Sequence, residues 1–116
     1  MKNVISVACG AFCLLLMTSC SSTIHAVNFK IHTEPEGAHI VYQQENRQWV
    51  YLGTSPLDVV EPIDPEQLGE NYTISIKAMR CGYLDQTKEW QKEEFEQELN
   101  EKGQLFWTPR LIKANP

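Results

Sequence analysis

Apolar and polar residues alternate with a period of two in several separate stretches of the chain. Val27, Phe29 and Ile31 alternate with Asn28, Lys30 and His32, the pattern of a strand with one buried face. Ala38, Ile40 and Tyr42 share one face of a second strand, and Leu57 to Val60 reads as a third, short one. Tyr72, Ile74, Ile76 and Ala78 alternate with Thr73, Ser75 and Lys77, the clearest strand in the chain. Leu105, Phe106 and Trp107 form a last short strand before Pro109. From Glu89 to Lys102 the composition turns helical, with Lys92/Glu96 and Glu98/Lys102 at the i to i+4 spacing and Gly103 as the stop. Trp90, Phe95 and Leu99 give that helix a narrow apolar stripe, so it is expected to cover one edge or end of the strands.

Turn chemistry divides these elements. In Glu34-Pro35-Glu36-Gly37, proline fixes φ at the first central position and Gly37 can take a positive φ, which predicts a type I turn. Downstream, Leu52-Gly53-Thr54-Ser55-Pro56-Leu57 combines a glycine that permits a bulge with a proline suited to a strand start or sheet edge. The chain is expected to change sheets there. Between these signatures, a hairpin turn at Glu45 and Asn46 would place Tyr42 opposite Trp49, Val41 opposite Val50 and Ile40 opposite Tyr51. Glu61 to Gly69 interrupts the sheet pattern, and within it Asp64 can cap a single helical turn with Pro65 at its first position.

Together, Pro35-Glu36-Gly37-Ala38, the Leu52 to Leu57 signature and Gly82-Tyr83 resemble the PEGA domain, a small β module named for that tetrapeptide. The resemblance implies a mainly β fold: a small transthyretin-like antiparallel β-sandwich, here with one added C-terminal helix. It implies that Ala38, Ile40 and Tyr42 face inward, and it associates the chain with bacterial surface proteins and non-catalytic accessory roles. The likeness fades beyond Tyr83. The hairpin tip also departs from the family's Asp-Gly or Asn-Gly turn, being the longer polar run Gln43 to Arg47. One copy is present, with no internal repeat.

The N-terminus addresses location. Met1-Lys2-Asn3 is a short positive start, and Val4 to Met17 is apolar apart from Ser6 and Gly10, too short for a comfortable membrane span. It reads as a secretory signal peptide. Met17-Thr18-Ser19-Cys20 resembles the bacterial lipobox, which implies cleavage before Cys20 and acylation of that cysteine. Buried acyl chains contribute about 0.8 kcal/mol per CH₂, so two or three on Cys20 would anchor the protein without a transmembrane helix. Ser21, where inner-membrane retention signals have Asp, favours the outer membrane. The expected organisation is a signal peptide over 1–19, a lipid-anchored tether over 20–26 and a β-sandwich over 27–113 with its helix at about 89–102.

Removal of the leader leaves 97 residues, enough for one domain and one modest core. Nine Lys plus Arg then face fifteen Asp plus Glu, a formal charge of −6, which argues against a nucleic-acid partner or an anionic-lipid surface. Cys81 becomes the single unmodified thiol and is expected to be a small buried hydrophobe.

No Gly-x-Ser-x-Gly elbow, His-Glu-x-x-His pair or phosphate-binding glycine loop occurs, so the chain reads as non-catalytic and without a cofactor. His32 and His39, with Glu34 and Glu36 nearby, are loop histidines beside acids rather than a metal set. Two classes of partner remain. An envelope protein would dock on the hairpin tip at Glu45 and Asn46, the acidic loop at Asp64, or an open strand edge. Peptidoglycan or a surface glycan would instead stack on aromatic residues such as Trp49 and Tyr51, provided that two or more rings share an exposed face.

Overall fold

The structure is a computed structural model that describes residues 25–115. Seven strands form two sheets. The first contains β1 (His25–Ile31) between β4 (Leu57–Ile63) and β7 (Leu105–Trp107). The second runs in the order β3 (Val50–Thr54), β2 (His39–Gln44), β5 (Thr73–Met79), β6 (Gln86–Gln91). All pairings are antiparallel except β1 with β7, which is parallel. One helix, α1 (Lys92–Lys102), precedes β7 and packs on β5, β6 and β7. The fold is mainly β, two sheets facing each other across a common core, with the helix near the C-terminus.

The alternation seen in the sequence builds that core. Val27, Phe29 and Ile31 on β1 pack with Ile40 and Tyr42 on β2 and with Ile74, Ile76 and Ala78 on β5, and all are buried. Each buried Ile, Leu or Phe side chain contributes about 1.5–3 kcal/mol. The Phe29 and Tyr42 rings meet edge to face at 5.1 Å, across the two sheets. β1 includes His25 and Ala26, ahead of the apolar position Val27, because they pair with Ile63 and Pro62 of a β4 that is also longer than its apolar pattern. β4 runs through Glu61 and Pro62 to Ile63 rather than ending at Val60. As an edge strand it tolerates Pro62, whose missing N–H is not needed by the ladder.

Three local expectations are corrected. Glu34 to Gly37 is a bend containing a cis Glu34–Pro35 bond, not a type I turn, because the Gly37 N–H donates to Ser55 O at 3.0 Å. Gly37 does take a positive φ, at +92°. The hairpin is shifted by one residue: Tyr42 opposes Val50 and Val41 opposes Tyr51, while a bulge brings Gly53 opposite Ile40. Gly53 has φ +138°, and a Cβ there would lie 3.0 Å from Leu57 Cδ1, so the bulge is built where only glycine fits. Third, the segment from Glu89 to Gln91 belongs to strand β6, not to the helix. Trp90 pairs with Ile74 and is buried on the inner face. β6 has one apolar residue and so no visible alternation. α1 starts one residue later, where the Gln91 N–H points to Glu94 Oε1 at 3.5 Å, and it ends where the Gly103 N–H donates to Leu99 O at 2.8 Å. Glu98 and Lys102 lie 3.6 Å apart on it, as their spacing implies.

The two turn signatures are joined by a buried hydroxyl relay. The Ala38 N–H donates to Ser55 Oγ at 3.0 Å, Ser55 Oγ meets Thr33 Oγ1, and Thr33 Oγ1 donates to Pro35 O at 2.7 Å. With the Thr33 proton on Pro35 O, the Ser55 proton must lie on Thr33 Oγ1, so every hydroxyl both donates and accepts. The Ser55 N–H donates to Ala38 O at 2.9 Å. Past β7 the chain extends this corner: Leu111 N–H donates to Glu34 O, Leu84 N–H to Ile112 O, and Ala114 N–H to Gly82 O. Ser55→Ala leaves the buried Ala38 N–H and Thr33 Oγ1 each short of a partner and is expected to cost about 1–3 kcal/mol in urea unfolding. Asn46→Ala, at the exposed hairpin tip, is expected to change stability by less than about 0.5 kcal/mol.

Candidate functional site

The residues singled out as partner contacts fall in two places. Glu45, Asn46 and Asp64 lie at the end of the sandwich where β1 begins, since His25 pairs with Ile63 and Gln44 with Ile74. There the hairpin tip and the acidic loop hold each other. Glu45 Oε1 accepts the Gly69 N–H at 2.6 Å, and Arg47 Nη2 donates to Gln67 O at 2.7 Å. The Glu45 N–H donates to Thr73 O, and Glu45 takes φ +53° as first central residue of a turn closed by Arg47 N–H to Gln44 O. Asp64 caps the 3-10 turn Pro65–Gln67 by accepting the Glu66 N–H at 3.1 Å. The carboxylates of Glu45 and Asp64 therefore stabilise backbone at this end. Asn46 is exposed at its tip.

Trp49 and Tyr51 are elsewhere, on the outer face of the four-stranded sheet. Two positions apart, they point to the same side, and 36% of Trp49 and 57% of Tyr51 remain exposed. The ladder sets their neighbours. Tyr51, Val41, Lys77 and Thr87 form one row across the four strands, and Gln43, Ser75 and Glu89 form the next. Tyr51 Oη and His39 Nδ1 are hydrogen-bonded at 3.0 Å with their rings 5.8 Å apart. Lys77 Nζ lies 4.5 Å from the centre of the Trp49 ring, a cation–π contact. Lys77 and Glu89 are the formal charges in these two rows, so this part of an acidic protein is close to neutral. His39, expected as a loop histidine, lies on strand β2, and neither it nor Lys77 was read as part of this face from the sequence. Their signal is outward position on β2 and β5, and it becomes legible only with the strand register.

Most of the remaining rings serve the interior, the exception being Phe106 on β7, which is 39% exposed. Trp90 and Tyr72 are buried, while Tyr83 and Trp107 pack half-buried against the core. Tyr72 meets Phe95 of α1 edge to face at 6.0 Å and donates to Glu96 Oε1 at 3.3 Å. Tyr72, Phe95 and Leu99 line a shallow groove of about 250 Å³ beside His25 and Pro65. Burial, reinforced by the negative charge of Glu96, pushes the Tyr72 phenol up to about 12.

Cys81 is exposed, against the expectation of burial. The inward alternation of β5 ends at Ala78, and Cys81 lies inside the turn closed by the Tyr83 N–H to Arg80 O. Cys20 and the whole leader lie outside the described residues. Among the described residues, no three of His, Cys, Asp or Glu come together as metal ligands, and no helix is long and apolar enough to cross a membrane. No family model, curated protein or solved structure matches the chain.

The raised phenol of Tyr72 gives a pH dependence of definite sign. Between the ordinary value of 10.0 and about 12 the unfolded chain loses this proton while the folded chain keeps it. The unfolded state then binds fewer protons, so stability falls as pH rises through that window. Chemical unfolding at pH 9 to 12 is expected to show this loss, and Tyr72→Phe is expected to reduce the slope.

Proposed function

We propose that the chain is a non-catalytic, lipid-anchored protein of the bacterial cell envelope, held at the outer membrane through Cys20, whose PEGA-like sandwich is a protein-interaction module. Its recognition surface is the outer face of the four-stranded sheet around Trp49 and Tyr51. The observation that carries this reading is that these two rings are exposed two positions apart on one face, while Trp90, Tyr72, Tyr83 and Trp107 serve the core and Phe106, the other exposed ring, stands alone on β7 of the opposite sheet. Exposed Trp and Tyr in a near-neutral patch are of the residue types enriched among the anchors of protein interfaces. The joining of Pro35-Glu36-Gly37-Ala38 to Ser55 supports the family resemblance, because it gives both signatures one structural task. The ties made by Glu45 and Arg47 favour the sheet face over the hairpin tip as the partner surface.

A second reading rests on the same pair of rings. Two aromatics on one exposed face, with the polar residues Gln43 on β2 and Thr87 on β6 further across that face, also fit a peptidoglycan or surface-glycan strand stacked across the sheet. Cross-linking with mass spectrometry on native membranes separates the two. A single recurring envelope protein cross-linked near Trp49 and Tyr51 is expected, lost in Cys20→Ala. Tyr51→Ala is expected to weaken that capture about tenfold or more, the effect of truncating an interface anchor. Retention of glycan alone would replace the first reading with the second.

A further inference from the structure

Four strands lie at sheet edges, and three of them carry a device that discourages pairing with another chain. β4 has Asp58, Glu61 and Pro62, β6 has Lys88 and Glu89, and β7 is three residues long. β3 differs. From Gln48 to Leu57 there is no charged residue, and Val50, 43% exposed, stands between Trp49 and Tyr51. The bulge of β3 lies against β2, and among the described residues no strand pairs with its far side. Alternate N–H and C=O groups of β3 therefore face solvent along an apolar, uncharged edge.

We infer that this edge pairs antiparallel with the same edge of a second copy, joining two four-stranded sheets into one of eight. The inference rests on the lipid-anchored reading above. Two chains of formal charge −6 repel, and an uncharged five-residue edge is where they meet without opposing like charges. A two-fold axis normal to the sheet makes the outer faces continuous, so Trp49 and Tyr51 of both copies form one patch of four rings, with each copy supplying half of the recognition surface.

The chain preceding the described residues fits this arrangement. With the two-fold axis along the membrane normal, the sheet holding β1 lies nearer the membrane and the aromatic face points away from it. The two His25 residues sit at opposite ends of the dimer at equal height. The five residues from Cys20 to Ile24 span up to about 17 Å, against a spacing of about 10 Å between stacked sheets, so both anchors reach one leaflet. Co-anchoring in that leaflet raises the effective concentration of the short edge.

The test uses the full lipidated chain in its native membrane, in a Cys81→Ser background with single cysteines at Val50, Tyr51 or Leu52, and at Val60 on the outer face of the other sheet as a control. Under mild oxidation, at least one β3 position is expected to give a disulfide-linked dimer about tenfold more abundant than Val60→Cys, the contrast between an ordered contact and collision on a surface. In the best chain, adding Val50→Lys (or Thr54→Lys where Val50 carries the cysteine) is expected to abolish that excess with the melting temperature unchanged. Equal yields at all four positions, or a dimer indifferent to the added lysine, would overturn the pairing. Failure of membrane retention or of partner capture in the Cys81→Ser parent, whose Trp49, Val50 and Tyr51 are intact, overturns the anchored-module reading instead, so the two failures are distinguishable.

Discussion

The corner built by Ser55 is the constraint on which the arrangement of the two sheets depends. β3 and β4 belong to different sheets, yet only Ser55 and Pro56 separate them. Such an abrupt crossing would leave backbone groups buried without partners. Ser55 resolves this by using its N–H, carbonyl and hydroxyl together on Ala38, Gly37 and Thr33. The start of β2 is thereby fixed against the end of β3, and the segment leaving β1 is fixed against both. The C-terminal tail closes the same region through Glu34, so the last residues of the chain stabilise a corner made near its beginning.

With the corner set, the inner faces have little freedom. Phe29 from one sheet meets Tyr42 from the other, and Trp90 closes the far side beneath the helix. The helix is amphipathic only weakly, with Phe95 its one fully buried side chain, so it acts as a cover over β5, β6 and β7 rather than as a second core. Its acidic surface adds to the negative charge of the chain, and the near-neutral outer sheet face stands out against that background.

The recognition surface proposed on the sheet face is thus separated from the loops. In many small β domains the hairpin tip is the adaptable part, but here Glu45 and Arg47 bind the backbone of the Gln67–Gly69 loop. A tip committed to intramolecular contacts is costly to rearrange for a partner. The sheet face needs no rearrangement. Its rings are already oriented by Lys77 and His39, and an oriented aromatic loses less side-chain freedom when it is covered.

Strands β1, β2 and β5 were legible from alternation, because burying one face of a strand imposes a period of two on the residues themselves, and β7 from its apolar run before Pro109. Asp64 with Pro65, and Gly103, were legible as a cap and a stop because their chemistry acts within a few residues. Trp90 was misplaced because the polar residues around it satisfy a helix as well as an edge strand, and only pairing with Ile74 decides between them. The one-residue shift at the hairpin turn, ahead of the bulge at Gly53, moved Tyr51 from the neighbourhood of Ile40 to that of Val41, and so from the core side to the open face. By itself the sequence determined a mainly β chain, its inward residues and its turn chemistry, since these follow from local periodicity and dihedral preference. Tertiary structure alone decided which aromatics are exposed together, which acids are occupied and which edge is free. Those depend on strand register and sheet order, which are set by contacts between residues far apart in the chain.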